Sequence, residues 1–115
     1  MRISRSWPLA VLPAIVGVGC SEGSDAPVDP ALARGEALYR NICQVCHNSD
    51  PNVPGVLGPA IAGAPLELLE AKVLRGEYPT GYTPARDTKQ MPQFTYLEPQ
   101  LADVAAFLAA QKQGS

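Results

Sequence analysis

The stretch Cys43-Gln44-Val45-Cys46-His47 decides how this chain is read. Two cysteines separated by two residues, with a histidine directly after the second, match the spacing at which a c-type haem is attached. On a helix, positions three and four apart share a face. Cys43, Cys46 and His47 therefore project the same way from one short piece of backbone. The two thiols can add to the two vinyl groups of one porphyrin, and the imidazole reaches its iron. Competing readings fit less well. A Cys-x-x-Cys redox pair wants a strand-helix setting, and no strand pattern surrounds this one. A structural zinc site needs four ligands, whereas beyond residue 28 the chain offers only Cys43, Cys46 and His47.

Working outward, the motif sits in the last turns of an amphipathic helix. Asp29-Pro30 starts it, with Asp at the N-cap and Pro at the first helical position, where a missing N–H costs nothing. Leu32, Gly35, Leu38, Tyr39, Ile42, Cys43 and Cys46 follow at steps of three and four. Gly35 is about 1 kcal/mol worse than Ala in a helix, so its use is the close approach of another helix. The helix frays near Asn48-Ser49-Asp50-Pro51.

Downstream, 52–63 lacks either periodicity and reads as an ordered loop. Pro65 opens a second helix with Leu66, Leu69 and Val73 as its stripe and Leu68 alongside, and Gly76 is its stop. Residues 78–90 are irregular. Glu98-Pro99 starts a last helix with the stripe Leu101, Val104, Ala105 and Leu108, and Phe107 beside it. No alternating strand pattern occurs, so the expected fold is all-α, three main helices plus loops wrapped around one covalently bound haem.

Upstream, residues 1–19 read as an export signal. Arg2 and Arg5 form a short positive region, and Trp7 to Gly19 is apolar and small. That run is shorter than the ~20 residues a membrane span needs and has the length of a signal-peptide hydrophobic region. Val16-Gly17-Val18-Gly19-Cys20 resembles a bacterial lipobox, departing from it at Gly17, where an aliphatic residue is usual. The resemblance implies that Cys20 carries lipid as the mature N-terminus, on the outer membrane where the source has one, since Ser21 rather than Asp follows. An unpaired thiol is a liability in an oxidising compartment, which favours the same reading. Residues 20–28 form a polar, acidic tether, and the domain occupies 29–115.

Haem iron has an axial position on each face, and His47, the only His, supplies one. Met1 lies in the leader, so Met91 is the one thioether left, and Pro92 biases it away from helical geometry. A ligand on such a loop can arch over the face opposite His47. His with Met raises haem potential, and full coordination leaves no position for substrate. These residues select reversible transfer of single electrons and exclude turnover of a small molecule.

Residues 29–112 resemble a class I bacterial cytochrome c. The matching features are Gly35 and Tyr39 ahead of Cys43-x-x-Cys46-His47, Gly58-Pro59 followed by Gly63, Met91-Pro92-x-Phe94, and a C-terminal helix carrying Phe107. The resemblance implies that the terminal helices cross near Gly35 and Phe107. It also implies that the Pro59 carbonyl accepts Nδ1–H of His47, leaving Nε2 for iron. Glu98 departs from the family's usual Ser or Thr cap. Leu38, Ile42, Leu69, Phe94, Leu101 and Leu108 are expected to pack against the porphyrin. Arg75, Tyr78 and Tyr82 lie near loops that could reach the haem edge, though each fits an ordinary surface residue better. Glu67, Glu70 and Glu77 read as a solvated helix face.

Of 115 residues, nine are Lys or Arg and 11 Asp or Glu. Loss of Arg2 and Arg5 with the leader leaves seven basic against 11 acidic residues, a mature charge of −4. No basic patch remains, which excludes nucleic-acid binding. The expected function is a haem c electron carrier, lipid-anchored on the periplasmic side of a membrane. It would serve respiratory or other periplasmic redox proteins, at least one with a basic docking surface. A cytochrome subunit of a periplasmic oxidoreductase is the alternative. A haem-based ligand sensor would need the Met91–iron bond to be absent or labile.

Overall fold

A computed structural model describes residues 29–86 and 89–112, with positions 8, 10–14, 17 and 19. Cys20, the tether through Val28 and most of the expected export signal lie outside the described residues.

The first helical rod runs from 30 to 47. Asp29 caps it, its carboxylate accepting from the Ala31 N–H at 2.9 Å, with Pro30 at the first position. It is built as α1 (Pro30–Leu38), a π turn (Tyr39–Cys43) and α2 (Gln44–His47). The π turn departs from the plain helix predicted above. The Gln44 N–H bonds five residues back to the Tyr39 carbonyl, so one extra residue enters the turn. This rotates the Cys-x-x-Cys-His face relative to the face carrying Gly35 and Tyr39. Asn48 ends the rod at φ 84° and ψ 150°, a backbone conformation outside both helical regions. Its side-chain oxygen accepts from the Asp50 N–H at 3.0 Å.

The loop that follows is held by its own backbone. The Pro51 carbonyl accepts from Ile61 and Ala62, both at 2.9 Å, and the Gly63 N–H reaches the Leu108 carbonyl at 2.8 Å. The second rod is α3 (Leu66–Leu69) followed by a π turn (Glu70–Leu74). It buries Leu69, Ala71 and Val73. Leu66, expected on that stripe, is exposed at the first position of the rod. Gly76, at φ 67°, closes the rod as predicted, its N–H reaching the Lys72 carbonyl at 3.1 Å.

The third rod begins earlier than Glu98-Pro99. A 3₁₀ turn (Thr95–Gln100) contains both residues and runs directly into α4 (Leu101–Gln111). Pro99 is accommodated there because the short turn does not need its N–H. No strand occurs among the described residues, and the fold is all-α with three helical rods, as the sequence predicts.

The core lies where α1 crosses α4. A Cβ on Gly35 would come 2.0 Å from the Asp103 carbonyl oxygen and 2.9 Å from Cβ of Phe107. Only a glycine permits backbones to meet this closely. Beside the crossing, the Tyr39 and Phe107 rings pack at 5.5 Å, and Tyr39, Leu101 and Leu108 are the largest fully buried side chains. Outside it, Arg34 forks onto Asp103, Nε to Oδ2 at 2.8 Å and Nη2 to Oδ1 at 3.2 Å. Among the described residues no helix is long and apolar enough to cross a membrane.

Candidate cofactor site

The three rods leave a cleft of about 1230 Å³ counted out to its open mouth. Ile42 from the first rod, Leu69 and Val73 from the second, and Leu97, Leu101 and Val104 from the third form its apolar walls. Cys43, Cys46, His47 and Met91 all line it. The π turn contributes directly, since it lets one rod present Tyr39 to the core and Cys43 to the cleft.

His47 is buried, and its Nδ1 lies 2.8 Å from the Pro59 carbonyl. A carbonyl can only accept, so Nδ1 carries the proton and the Nε2 lone pair is left for a metal. The loop holding Pro59 is pinned to the motif. The Gly58 N–H donates to the Cys46 carbonyl at 2.8 Å, and the Gly55 N–H to the Gly58 carbonyl at 2.8 Å. Tyr39, in the core, sends its hydroxyl to the Asn48 carbonyl, directly after His47.

Cys43 and Cys46 are partly buried and form no disulfide. Burial, and then the neighbouring Cys46, push the Cys43 thiol up to about 11. Met91 is partly buried in an irregular segment. The segment is tied to the second rod where the Phe94 N–H meets the Val73 carbonyl at 2.8 Å.

Other expectations divide. Ile42, Leu69, Phe94 and Leu101 line the cleft as anticipated. Leu38 and Leu108 do not: Leu108 is fully buried in the inter-helix core and Leu38 packs against that core. Leu38 precedes the π turn and stays on the face that carries Gly35 and Tyr39, and Leu108 lies on α4 in the helix core. Tyr78 and Tyr82 line the cleft mouth, stacked at 5.5 Å and 13°. Arg75 does not reach it and pairs with Glu77 at 3.5 Å on the surface. Glu67, Glu70 and Glu77 are exposed, in keeping with a solvated face.

Sequence reasoning missed several lining residues. Ile61, Ala64 and Leu97 carry no periodic signal, because they reach the cleft from loops and a 3₁₀ turn. Lys72 and Arg86 also line it. Lys72 places Nζ 4.4 Å over the Tyr78 ring. Nothing in their spacing marks either cation.

An apolar slot with two thiols, an imidazole of defined tautomer and a thioether suits a flat, largely apolar metal macrocycle joined to the chain through sulfur. Arrangement and fold together define a covalent-haem protein. The family model described as Cytochrome c matches residues 32–112. The chain belongs to the cytochrome c family, and is an electron-transfer haem protein of the haem c type. Comparison with curated proteins found no match.

Proposed function

We propose that the chain is a membrane-tethered, monohaem carrier of single electrons. Cys43 and Cys46 hold the haem as thioethers, and His47 and Met91 are the axial ligands. The observation that carries this reading is the engagement of His47 Nδ1 by Pro59, 2.8 Å away, in a cleft that Met91 also lines. The bound haem supplies an iron that changes valence by one electron. The chain does the rest. Pro59 accepts from Nδ1 of His47 and orients the ring so that Nε2 is the nitrogen offered to iron, the Met91 sulfur favours the ferrous state, and the apolar walls exclude water. His47 and Met91 together would leave a bound haem no open position for a small substrate.

The lipobox-like run ending at Cys20 supports anchoring on the periplasmic face of a membrane, the outer one where present. Seven basic against 11 acidic residues in the mature chain support at least one redox partner with a basic docking surface. The electron pathway joins respiratory or other periplasmic proteins.

Expression in a host that matures c-type cytochromes tests the reading. The haem should stay with the polypeptide through denaturing electrophoresis, and the ferric protein should show the sulfur–iron charge-transfer band. Met91→Leu should lose that band and bind carbon monoxide when ferrous. Colourless protein, extractable haem, or wild-type protein that binds carbon monoxide readily would overturn it. Cys20→Ala should move the chain from the membrane to the soluble fraction; an unchanged distribution counts against the anchor.

A further inference from the structure

Arg86 touches both sides of the cleft mouth. It belongs to the irregular segment that leads into Met91, yet its guanidinium reaches the loop that positions His47. Nη2 donates to the Gly55 carbonyl at 3.1 Å and Nη1 to the Val56 carbonyl at 3.4 Å. Those carbonyls belong to the turn in which the Gly55 N–H bonds to Gly58, the Gly58 N–H bonds to Cys46, and Pro59 accepts from His47.

The backbone of Arg86 is fixed from a third direction. The Tyr78 hydroxyl donates to the Arg86 carbonyl at 3.4 Å. The Tyr78 ring is itself held by Lys72 Nζ at 4.4 Å and by the Tyr82 ring at 5.5 Å. Both ends of the Arg86 side chain are therefore anchored. A guanidinium is suited to this, because its planar fork meets two neighbouring acceptors without deprotonating.

We propose that Arg86 is a positioning residue for the axial pair. It straps the Met91 segment to the His47 loop and so keeps the Met91 sulfur seated against outside ligands. The proposal rests on the reading that Met91 ligates the iron. Arg86 and Met91 are five positions apart in sequence and line the same cleft. A release at Arg86 therefore loosens the wall that carries the sulfur. Two hydrogen bonds from a charged donor, partly exposed, correspond to about a tenfold change in how readily the segment opens.

The probe is imidazole, titrated into the ferric holoprotein and followed by loss of the sulfur–iron band. Arg86→Gln should bind imidazole about tenfold more tightly than wild type. Arg86→Lys, which offers one point donor in place of a fork, should fall between them. Amide exchange at Gly55 and Gly58 should quicken in Arg86→Gln. Arg34→Gln, which breaks an ion pair on the far helices, should lower stability and leave imidazole affinity unchanged.

Arg86→Gln within twofold of wild type, with Met91→Leu binding imidazole far more tightly, overturns the strap alone. Met91→Leu with an unchanged band and unchanged affinity overturns the ligand reading and the strap with it. Should Arg86→Gln fail to accumulate, Arg86→Lys decides: threefold tighter binding or more supports the strap, and wild-type affinity overturns it.

Discussion

A Cβ on Gly58 would lie 2.5 Å from both Nδ1 and Cε1 of His47, so the glycine backbone is the surface against which the imidazole rests. The next residue, Pro59, accepts the hydrogen bond from the same ring. One short loop thus both limits the ring and orients it. Gly58→Ala must push the ring away or move the loop, and either stretches the Pro59 bond. Overpacking of this kind costs about 1–3 kcal/mol. Denaturant unfolding of the holoprotein checks it, and a loss under about 0.5 kcal/mol would mean the loop yields freely.

Much of the scaffold was legible because local chemistry decides it. Asp29-Pro30 is a cap wherever it falls, and Gly76 ends its rod because it can adopt a φ of 67°. Gly35 makes no sense inside a helix except as a place for another backbone, and Asp103 and Phe107 occupy it. Cys43, Cys46 and His47 announce one face through their spacing alone.

What was not legible depends on register and on distance along the chain. A stripe counted at 3.6 residues per turn assigns Leu38 and Leu108 to the porphyrin. In the first rod the π turn at Tyr39–Cys43 splits core face from cleft face and leaves Leu38 with the core, while Leu108 on α4 is buried in that core. No residue pattern announces such a turn. Arg86 is a cation in an irregular segment, and its acceptors lie about 30 residues away as backbone carbonyls. Backbone groups have no letter in a sequence.

Tyr39 joins the core to the end of the ligating helix, and Tyr39→Phe isolates that link. The change removes the bond to the Asn48 carbonyl and keeps the ring against Phe107. The expected loss is about 1 kcal/mol at neutral pH. Burial, chiefly, pushes the Tyr39 phenol up to about 12 from its ordinary 10. A raised value means that folding favours the protonated form. The stabilisation is therefore complete below about 10 and is lost as pH rises through about 12. Unfolding midpoints of wild type and Tyr39→Phe, compared across that window, should converge and then cross. Parallel curves would show that the phenol does not titrate in the core.

The Arg34–Asp103 fork predicts the opposite pH dependence. The hydrogen bond from Arg34 holds the Asp103 carboxyl below its usual value of 3.8. A lowered value contributes stability above the ordinary carboxylate range and loses it as pH falls through the folded value. Asp103→Asn should melt below wild type at neutral pH, by an amount that shrinks with added salt because the pair is partly exposed. Below the carboxylate range the two curves should merge. A gap that persists in acid would assign the effect to packing at the helix crossing.

Removing the covalent link predicts the largest change. The domain has about 85 residues, and a core of that size alone supplies only ~3–5 kcal/mol. Its compact part is the α1–α4 crossing around Tyr39, Phe107 and Leu108, whereas the partly buried Ile42, Ile61, Leu68 and Phe94 face the cleft. Without a macrocycle between them these walls meet water. At roughly 25 cal/mol per Å² of apolar surface, that exposure offsets most of what the crossing contributes. Collapse of the cleft is resisted on both sides, by the Pro59–His47 loop and by the Phe94–Val73 hydrogen bond. The Cys43→Ala/Cys46→Ala chain should therefore lose most of its helical circular dichroism at neutral pH and show no cooperative thermal transition. Helix content equal to that of the holoprotein would mean that the three rods assemble without the haem, leaving the cofactor to supply redox chemistry alone.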